Sequence, residues 1–226
     1  MGLFITGTDT GVGKTHTLTQ LLRLLRGSGV SCAAMKPICC GDRRDAELLL
    51  AASREGLALD EVNPVSLKTP VAPLTAALAE KVDIDIDAVL NAFAQLQERV
   101  GQVFVEGVGG WLVPIRPDYF VADLAVDMKL PVLVVAQNRL GCLNHTALTV
   151  QSVVDYGLNC AGVVLNDPLS LNDPATRTNR DILGTIINAP ILPGLTENAE
   201  YFESDWVRML DVTLGLKCPP TRHKCK

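Results

Sequence analysis

The segment GTDTGVGKT, residues 7–15, constrains this chain more than any other. It follows a short apolar run and leads into Leu18, Leu21, Leu22 and Leu25, which repeat at helical spacing until Gly27 supplies a stop. Strand, glycine-rich loop, Lys-Thr and helix is the arrangement that cradles nucleotide phosphates. Glycines let the backbone wrap with its N–H groups pointing inward. The helix N-terminus adds partial positive charge. In this reading Lys14 reaches the outer phosphates and the Thr15 hydroxyl ligates Mg²⁺. The common spacing G-x-x-x-x-G-K-[ST] puts its first glycine where this chain has Thr8. Here the glycine is Gly7, one residue earlier. The loop specifies nucleotide binding and leaves the reaction open.

The rest of the chain alternates short apolar runs with helical patterns. Runs at 3–6, 30–36, 102–106, 132–136 and 161–166 read as strands, with 190–192 as a candidate sixth. Such strands are apolar throughout when helices cover both sheet faces. Residues 45–52 and 85–100 read as helices. Asn144 is placed to cap a helix running to about Tyr156, with Gly157 as its stop. Residues 63–73 hold three prolines and read as loop. The expected class is α/β, a P-loop NTPase-like parallel sheet flanked by helices. The 226 residues are expected to form one domain, with 218–226 as a flexible tail.

Charge argues against two partner classes. Twenty Lys and Arg face 25 Asp and Glu, a net charge of −5, so neither nucleic acid nor an anionic membrane is the expected main partner. No apolar run reaches the roughly 18 residues of a membrane span. The start MGLFITGTDTG does not read as a signal peptide. The seven cysteines show no framework spacing and read as free thiols in a reducing cytosol, so the expected location is cytoplasmic. Cys218, His223 and Cys225 are scattered through the tail and do not make a metal site.

Further candidates stand at the carboxyl ends of the strands, where ligands bind in parallel sheets. Lys36, stopped by Pro37, either neutralises charge on a transferring phosphoryl group or is a solvated lysine. Glu106 closes a buried strand, which is costly unless it binds something. Mg²⁺ is the natural partner, and hydrogen bonds from backbone N–H groups are the alternative. Gly107, Val108 and Gly109 then leave room for a ligand against the backbone. Asp45 is either a helix-start residue or a third Mg²⁺ ligand, since hard oxygen donors suit that ion. Asn166, followed by Asp167, either reads an adenine edge or forms a turn.

The ordered set GTDTGVGKT, KP, EGVGGWLVPI, LPVLVV, LGCLNHTALT and GVVLND resembles the dethiobiotin synthetase family of the biotin pathway, over about residues 2–200. LGCLNHTALT is the most discriminating piece. The resemblance implies a homodimeric ligase with ATP as co-substrate and Mg²⁺ as cofactor. It would close a cyclic urea on 7,8-diaminopelargonate with CO₂, through a carbamate and a carbamic-phosphoric anhydride. It assigns Thr10, Gly11, Val12, Gly13, Lys14 and Thr15 to phosphate binding, and Thr15, Asp45 and Glu106 to Mg²⁺. Lys36 becomes the active-site lysine, beside the carbamate and γ-phosphate, with Lys14 as the loop lysine. Asn166 reads adenine, and Pro193, Gly194, Leu195 and Glu200 make later nucleotide contacts. Gly141, Cys142, Leu143 and Asn144 match a helix start that receives the substrate carboxylate of the neighbouring subunit, which suits a helix N-terminus.

Three departures from the family pattern stand out. Cys40 occupies the place of a substrate-touching serine, and a thiol is the weaker donor. Ala72-Pro73-Leu74 replaces Ser-Pro-His, and Val108 replaces an alanine. Two other readings compete. A related amidotransferase-like or cobyrinate-type ligase would need a glutaminase domain, for which the chain after residue 200 is too short. A ParA/MinD-type ATPase switch would carry a second lysine near the loop's start, where this chain has Gly7, Thr8, Asp9 and Thr10.

Overall fold

Successive residues of a strand point to opposite faces, so a strand apolar on both must be covered on both. That is how the chain folds in the computed structural model, which describes residues 2–167, 173–195 and 203–216. In chain order these form β1 (Phe4–Gly7), α1 (Lys14–Gly27), β2 (Cys32–Met35), β3 (Ile38–Cys40), α2 (Arg44–Ala52), α3 (Leu59–Val62) and β4 (Val65–Leu67). Then come α4 (Pro73–Glu80), α5 (Ile86–Val100), β5 (Gln102–Gly110), β6 (Pro114–Arg116), β7 (Tyr119–Phe120) and α6 (Val121–Asp127). The remainder are β8 (Val132–Gln137), α7 (Cys142–Asp155), β9 (Cys160–Asn166), α8 (Pro174–Ile186), β10 (Ile191–Pro193) and α9 (Ser204–Leu214).

Six strands make one sheet in the order β10-β9-β8-β1-β5-β2, and every pair in it is parallel. Phe4, Val103, Val105, Val132 and Val134 face one core with Phe93 and Leu96 of α5 and Val121 and Leu124 of α6. Their neighbours Leu3, Ile5, Phe104, Leu133 and Val135 face another, with the leucine stripe of α1, Leu49 of α2 and Trp206 of α9. The order reverses at β1, which lies between β5 and β8. The crevice beyond its carboxyl end is where such sheets bind ligands.

The expected strands are all present with shifted ends, and the candidate at 190–192 is β10. Pro37 follows the end of β2, as expected. Three local expectations are corrected. A separate strand, β3, begins at Ile38 and pairs in parallel with β4, Ile38 beside Val65 and Cys40 beside Leu67. Residues 63–73, read as loop, therefore contain a strand. Glu106 does not close its strand, because β5 continues to Gly110. Asn144 does not cap α7. The helix begins at Cys142 with Gly141 at the cap, φ 90°, a left-handed conformation that glycine adopts without strain. By contrast Asp85 caps α5, accepting from the Ala88 N–H at 3.0 Å.

Glu200 and the tail at 218–226 lie outside the described residues. Among the described residues no helix is long and apolar enough to cross a membrane, and Cys32, Cys39, Cys40, Cys142 and Cys160 are free thiols.

Candidate active site

The phosphate loop leaves β1 at the sheet's switch point and turns through Gly11 and Gly13, with φ of 75° and 96°. Its shifted glycine has a steric reason. A Cβ on Gly7 would stand 2.7 Å from the Asp9 carbonyl oxygen and 3.1 Å from Lys14 Nζ. The loop and its lysine fold back over that spot: Lys14 Nζ donates to Asp9 O at 3.2 Å. The Thr8 N–H donates across to Val135 O at 3.0 Å, fixing the loop's root to β8. Lys14 is only 6% exposed. Burial lowers its pKa to about 8, despite the opposing pull of the Glu106 carboxylate.

Lys36 is held from both sides of its peptide. Its N–H donates to Val62 O at 2.8 Å. Its carbonyl accepts from Asn63 Nδ2 at 2.7 Å. Asn63, buried in turn, donates to Val65 O at 2.9 Å and accepts from Arg43 Nε at 2.9 Å. The Lys36 ammonium lies 2.5 Å from Glu106 Oε1 and 3.1 Å from Asp45 Oδ2. Lys36 is 4% and Glu106 1% exposed, while Asp45 is half-exposed. Burial works against the Lys36 charge, but Glu106 and Asp45 outweigh it and lift the pKa above the usual lysine range. Burial likewise pushes the Asp45 carboxyl up, and the nearby Lys36 outweighs that and holds it below its usual value.

The three expected metal residues converge. Thr15 Oγ1 donates to Glu106 Oε1 at 2.9 Å, and Asp45 joins through Lys36. Glu106 Oε2 is buried with no hydrogen-bond partner. An orphaned carboxylate oxygen beside a threonine hydroxyl and a second carboxylate fits a hard divalent cation. These groups open onto a cleft of about 670 Å³. Thr10, Gly11, Gly13, Val108 and Gly109 also line it, and Cys39, Cys40 and the 70–73 segment form the facing wall. Gly107 instead packs behind, where a Cβ would meet Val121 at 2.9 Å. Val12 is buried in the core.

Asn166 does not line this cleft. Its Nδ2 donates to Val12 O at 3.0 Å and Gly13 O at 3.3 Å, so it braces the end of the phosphate loop. Asp167 follows it at the surface. Pro193 ends β10, its carbonyl accepting from Trp206 Nε1 at 3.0 Å. Gly194 packs on Asn166, where a Cβ would meet Oδ1 at 2.9 Å. Leu195 is buried, and its carbonyl lies 2.8 Å from His16 Nε2. A carbonyl only accepts, so that nitrogen carries the proton. Cys142 is buried, Leu143 half-buried, and Gly141 and Asn144 exposed at the start of α7. Sequence reasoning missed Asn63 and His16. The signal for His16 was its place one residue after the loop; Asn63 had none.

Residues 1–201 match the AAA domain family. The chain is 43% identical over 201 residues to the ATP-dependent dethiobiotin synthetase BioD of Akkermansia muciniphila, covering 89% of this chain and 94% of that one. To the protein of the same name from Thermodesulfovibrio yellowstonii it is 38% identical, covering 87% and 90%. Among solved structures it is similar to the septum site-determining protein MinD of Pyrococcus horikoshii, complexed with Mg-ADP, with a TM-score of 0.52 at 14% identity, covering 85% of this chain and 82% of that one. A ParA family ATPase from Chlorobium tepidum gives 0.51 at 11%, covering 97% and 93%. At those identities the likeness shows a shared P-loop fold alone. The sequence relationship is of another order, and by it the chain belongs to the dethiobiotin synthetase family.

Proposed function

We propose that this protein is an ATP- and Mg²⁺-dependent ligase that converts 7,8-diaminopelargonate and CO₂ to dethiobiotin, ADP and phosphate. The observation that carries the reading is the buried Lys36 ammonium, 2.5 Å from Glu106, in a cleft whose other wall is the phosphate loop. One substrate amine adds to CO₂, releasing a proton and leaving a carbamate. A carbamate oxygen attacks the γ-phosphorus and ADP departs. The second amine attacks the carbamoyl carbon and phosphate departs, closing the cyclic urea. No protein nucleophile is required, so the cysteines have no covalent role.

The chain's own groups neutralise and orient charge. Phosphate-loop N–H groups and Lys14 bind the β- and γ-phosphates. Lys36, kept cationic by two carboxylates, stabilises the negative charge that gathers where carbamate meets phosphoryl group. Thr15, Asp45 and Glu106 hold Mg²⁺, which when bound offsets charge on the phosphate oxygens. Asn166 and Pro193 to Leu195 bound the nucleotide's far end. Cys40, facing the cleft beside Lys36, touches the diamine in place of a hydroxyl. In a homodimer the α7 entrance, Gly141 to Asn144, receives the substrate carboxylate of the other subunit. The free thiols among the described residues support a cytoplasmic location.

The test is product analysis by mass spectrometry with each component omitted in turn. Dethiobiotin should require all of ATP, Mg²⁺, CO₂ and diaminopelargonate. ATP hydrolysis stimulated by DNA or lipid vesicles, without that product, would replace the ligase by an ATPase switch.

A further inference from the structure

Asn166, Asn138 and Asn179 form one hydrogen-bonded chain, and the proposed chemistry uses only the first of them. Asn166, at the end of β9, is tied by its amide to the phosphate loop. Its backbone carbonyl accepts from the Asn138 N–H at 2.6 Å. Asn138 follows β8, and its Nδ2 donates to Thr176 O at 3.0 Å. Asn179 on α8, 3% exposed, donates from Nδ2 to Asn138 Oδ1 at 2.9 Å and to Arg139 O at 3.2 Å. The Arg139 carbonyl also accepts from the N–H of Cys142, the first residue of α7, at 3.2 Å.

The amide orientations are mutually determined. Thr176 O and Arg139 O can only accept, so Asn138 and Asn179 each turn an NH₂ toward a carbonyl. Asn138 Oδ1 is then left to accept from Asn179. Neither amide can flip without setting two acceptors against each other. Between these anchors Arg139, Leu140 and Gly141 are exposed, so the turn is held at its two ends, Asn138 and Cys142. The body of α8 has a separate attachment: Leu183 packs with Ala136, Cys142 and Leu165. Removing the Asn179 amide therefore leaves the apolar seat of α8 in place and takes away two of the bonds that hold the turn.

We propose that Asn179 is a positioning residue. Acting through Asn138 and the Arg139 carbonyl, it fixes the entrance of α7 and so the direction of the N–H groups offered to the substrate carboxylate. This rests on the reading of the α7 entrance as the carboxylate receiver. A group that binds by orientation loses affinity when its donors move by a fraction of an ångström.

Asn179→Leu keeps the branched shape and removes both donors. KM for diaminopelargonate should rise about tenfold, with kcat and nucleotide Kd changing by less than about twofold. Amide hydrogen exchange should quicken at residues 139–143 and stay unchanged in the phosphate loop. Asn179→Gln, which keeps the amide on a longer stem, should recover part of the loss. Asn179→Ser is read by the same measurements if the leucine variant does not fold. A folded variant with the parental KM, or with KM for ATP and for diaminopelargonate raised alike, overturns the proposal. Should the parent make no dethiobiotin, the functional reading fails on its own. Exchange at 139–143 then decides: parental rates in the variant overturn the positioning role, and faster rates uphold it.

Discussion

The phosphate side of the cleft stands on β1, β5 and β8, each paired with a strand on both sides, whereas the facing wall stands on β3 and β4, three residues each and paired only with one another. On the first side Lys14 and Glu106 are buried, and Glu106 pairs with the buried Lys36 that follows the edge strand β2. On the second Cys40 is half-buried and Asp42 exposed. The buried side must satisfy every charge it holds, because an unpaired one in the interior costs several kcal/mol. The facing wall is partly solvated and tolerates exchange of one small polar group for another.

The sharpest way to break this contrast is at Lys36. Lys36→Met leaves Glu106 buried without its cation, which should cost about 3–5 kcal/mol of stability. Turnover should fall by about three orders of magnitude or more, while nucleotide affinity stays within a few-fold. Thermal unfolding, product assay and nucleotide titration read the three effects, and unchanged turnover would remove Lys36 from the chemistry. Next in size is Glu106→Gln. The Mg²⁺ concentration for half-maximal activity should rise by about tenfold or more, as loss of a charged oxygen ligand requires. A titration that overlays the parent's would end the metal assignment.

A smaller effect follows from Lys14. Its pKa of about 8 in the free protein must rise when phosphates replace solvent beside it. Binding then takes up a proton above pH 8, so nucleotide affinity should be flat below pH 8. Above it, affinity should fall by up to about tenfold per unit until the bound-state pKa is passed. Titration calorimetry in buffers of different ionisation heat would show the proton uptake, and a pH-independent affinity would contradict it. The smallest effect belongs to the facing wall. Cys40→Ser, supplying a stronger donor, should lower KM for diaminopelargonate about threefold with kcat unchanged. A change as large as that at Lys36 would erase the contrast between the walls.

The parts legible in the sequence are those governed by local chemistry. The glycine and lysine positions of the loop announce a phosphate cradle, because few other uses exist for that spacing after a strand. The central strands are legible because burial on both faces leaves long apolar runs. The facing wall was not legible. Val65–Leu67 is too short and too closely flanked by prolines to be distinguished from loop, and only its pairing with Ile38–Cys40 makes it a strand. The cap of α7 was misplaced at Asn144 for a related reason. Asn is a good cap by type, but here Asn138 and Asn179 hold the preceding turn and the helix starts three residues earlier, after Gly141. Asn166 is read for an adenine edge, and its bonds to the loop's own carbonyls were not legible. Contacts between distant segments leave no periodicity for a sequence to display.

The central claim is that the carbamate oxygen, and not water, receives the γ-phosphoryl group in this cleft. The direct measurement is a reaction with freshly dissolved ¹⁸O-labelled CO₂, followed by mass analysis of the released phosphate. The account predicts one ¹⁸O atom in the phosphate for each dethiobiotin formed. Phosphate free of label, with its new oxygen drawn from water, would contradict it.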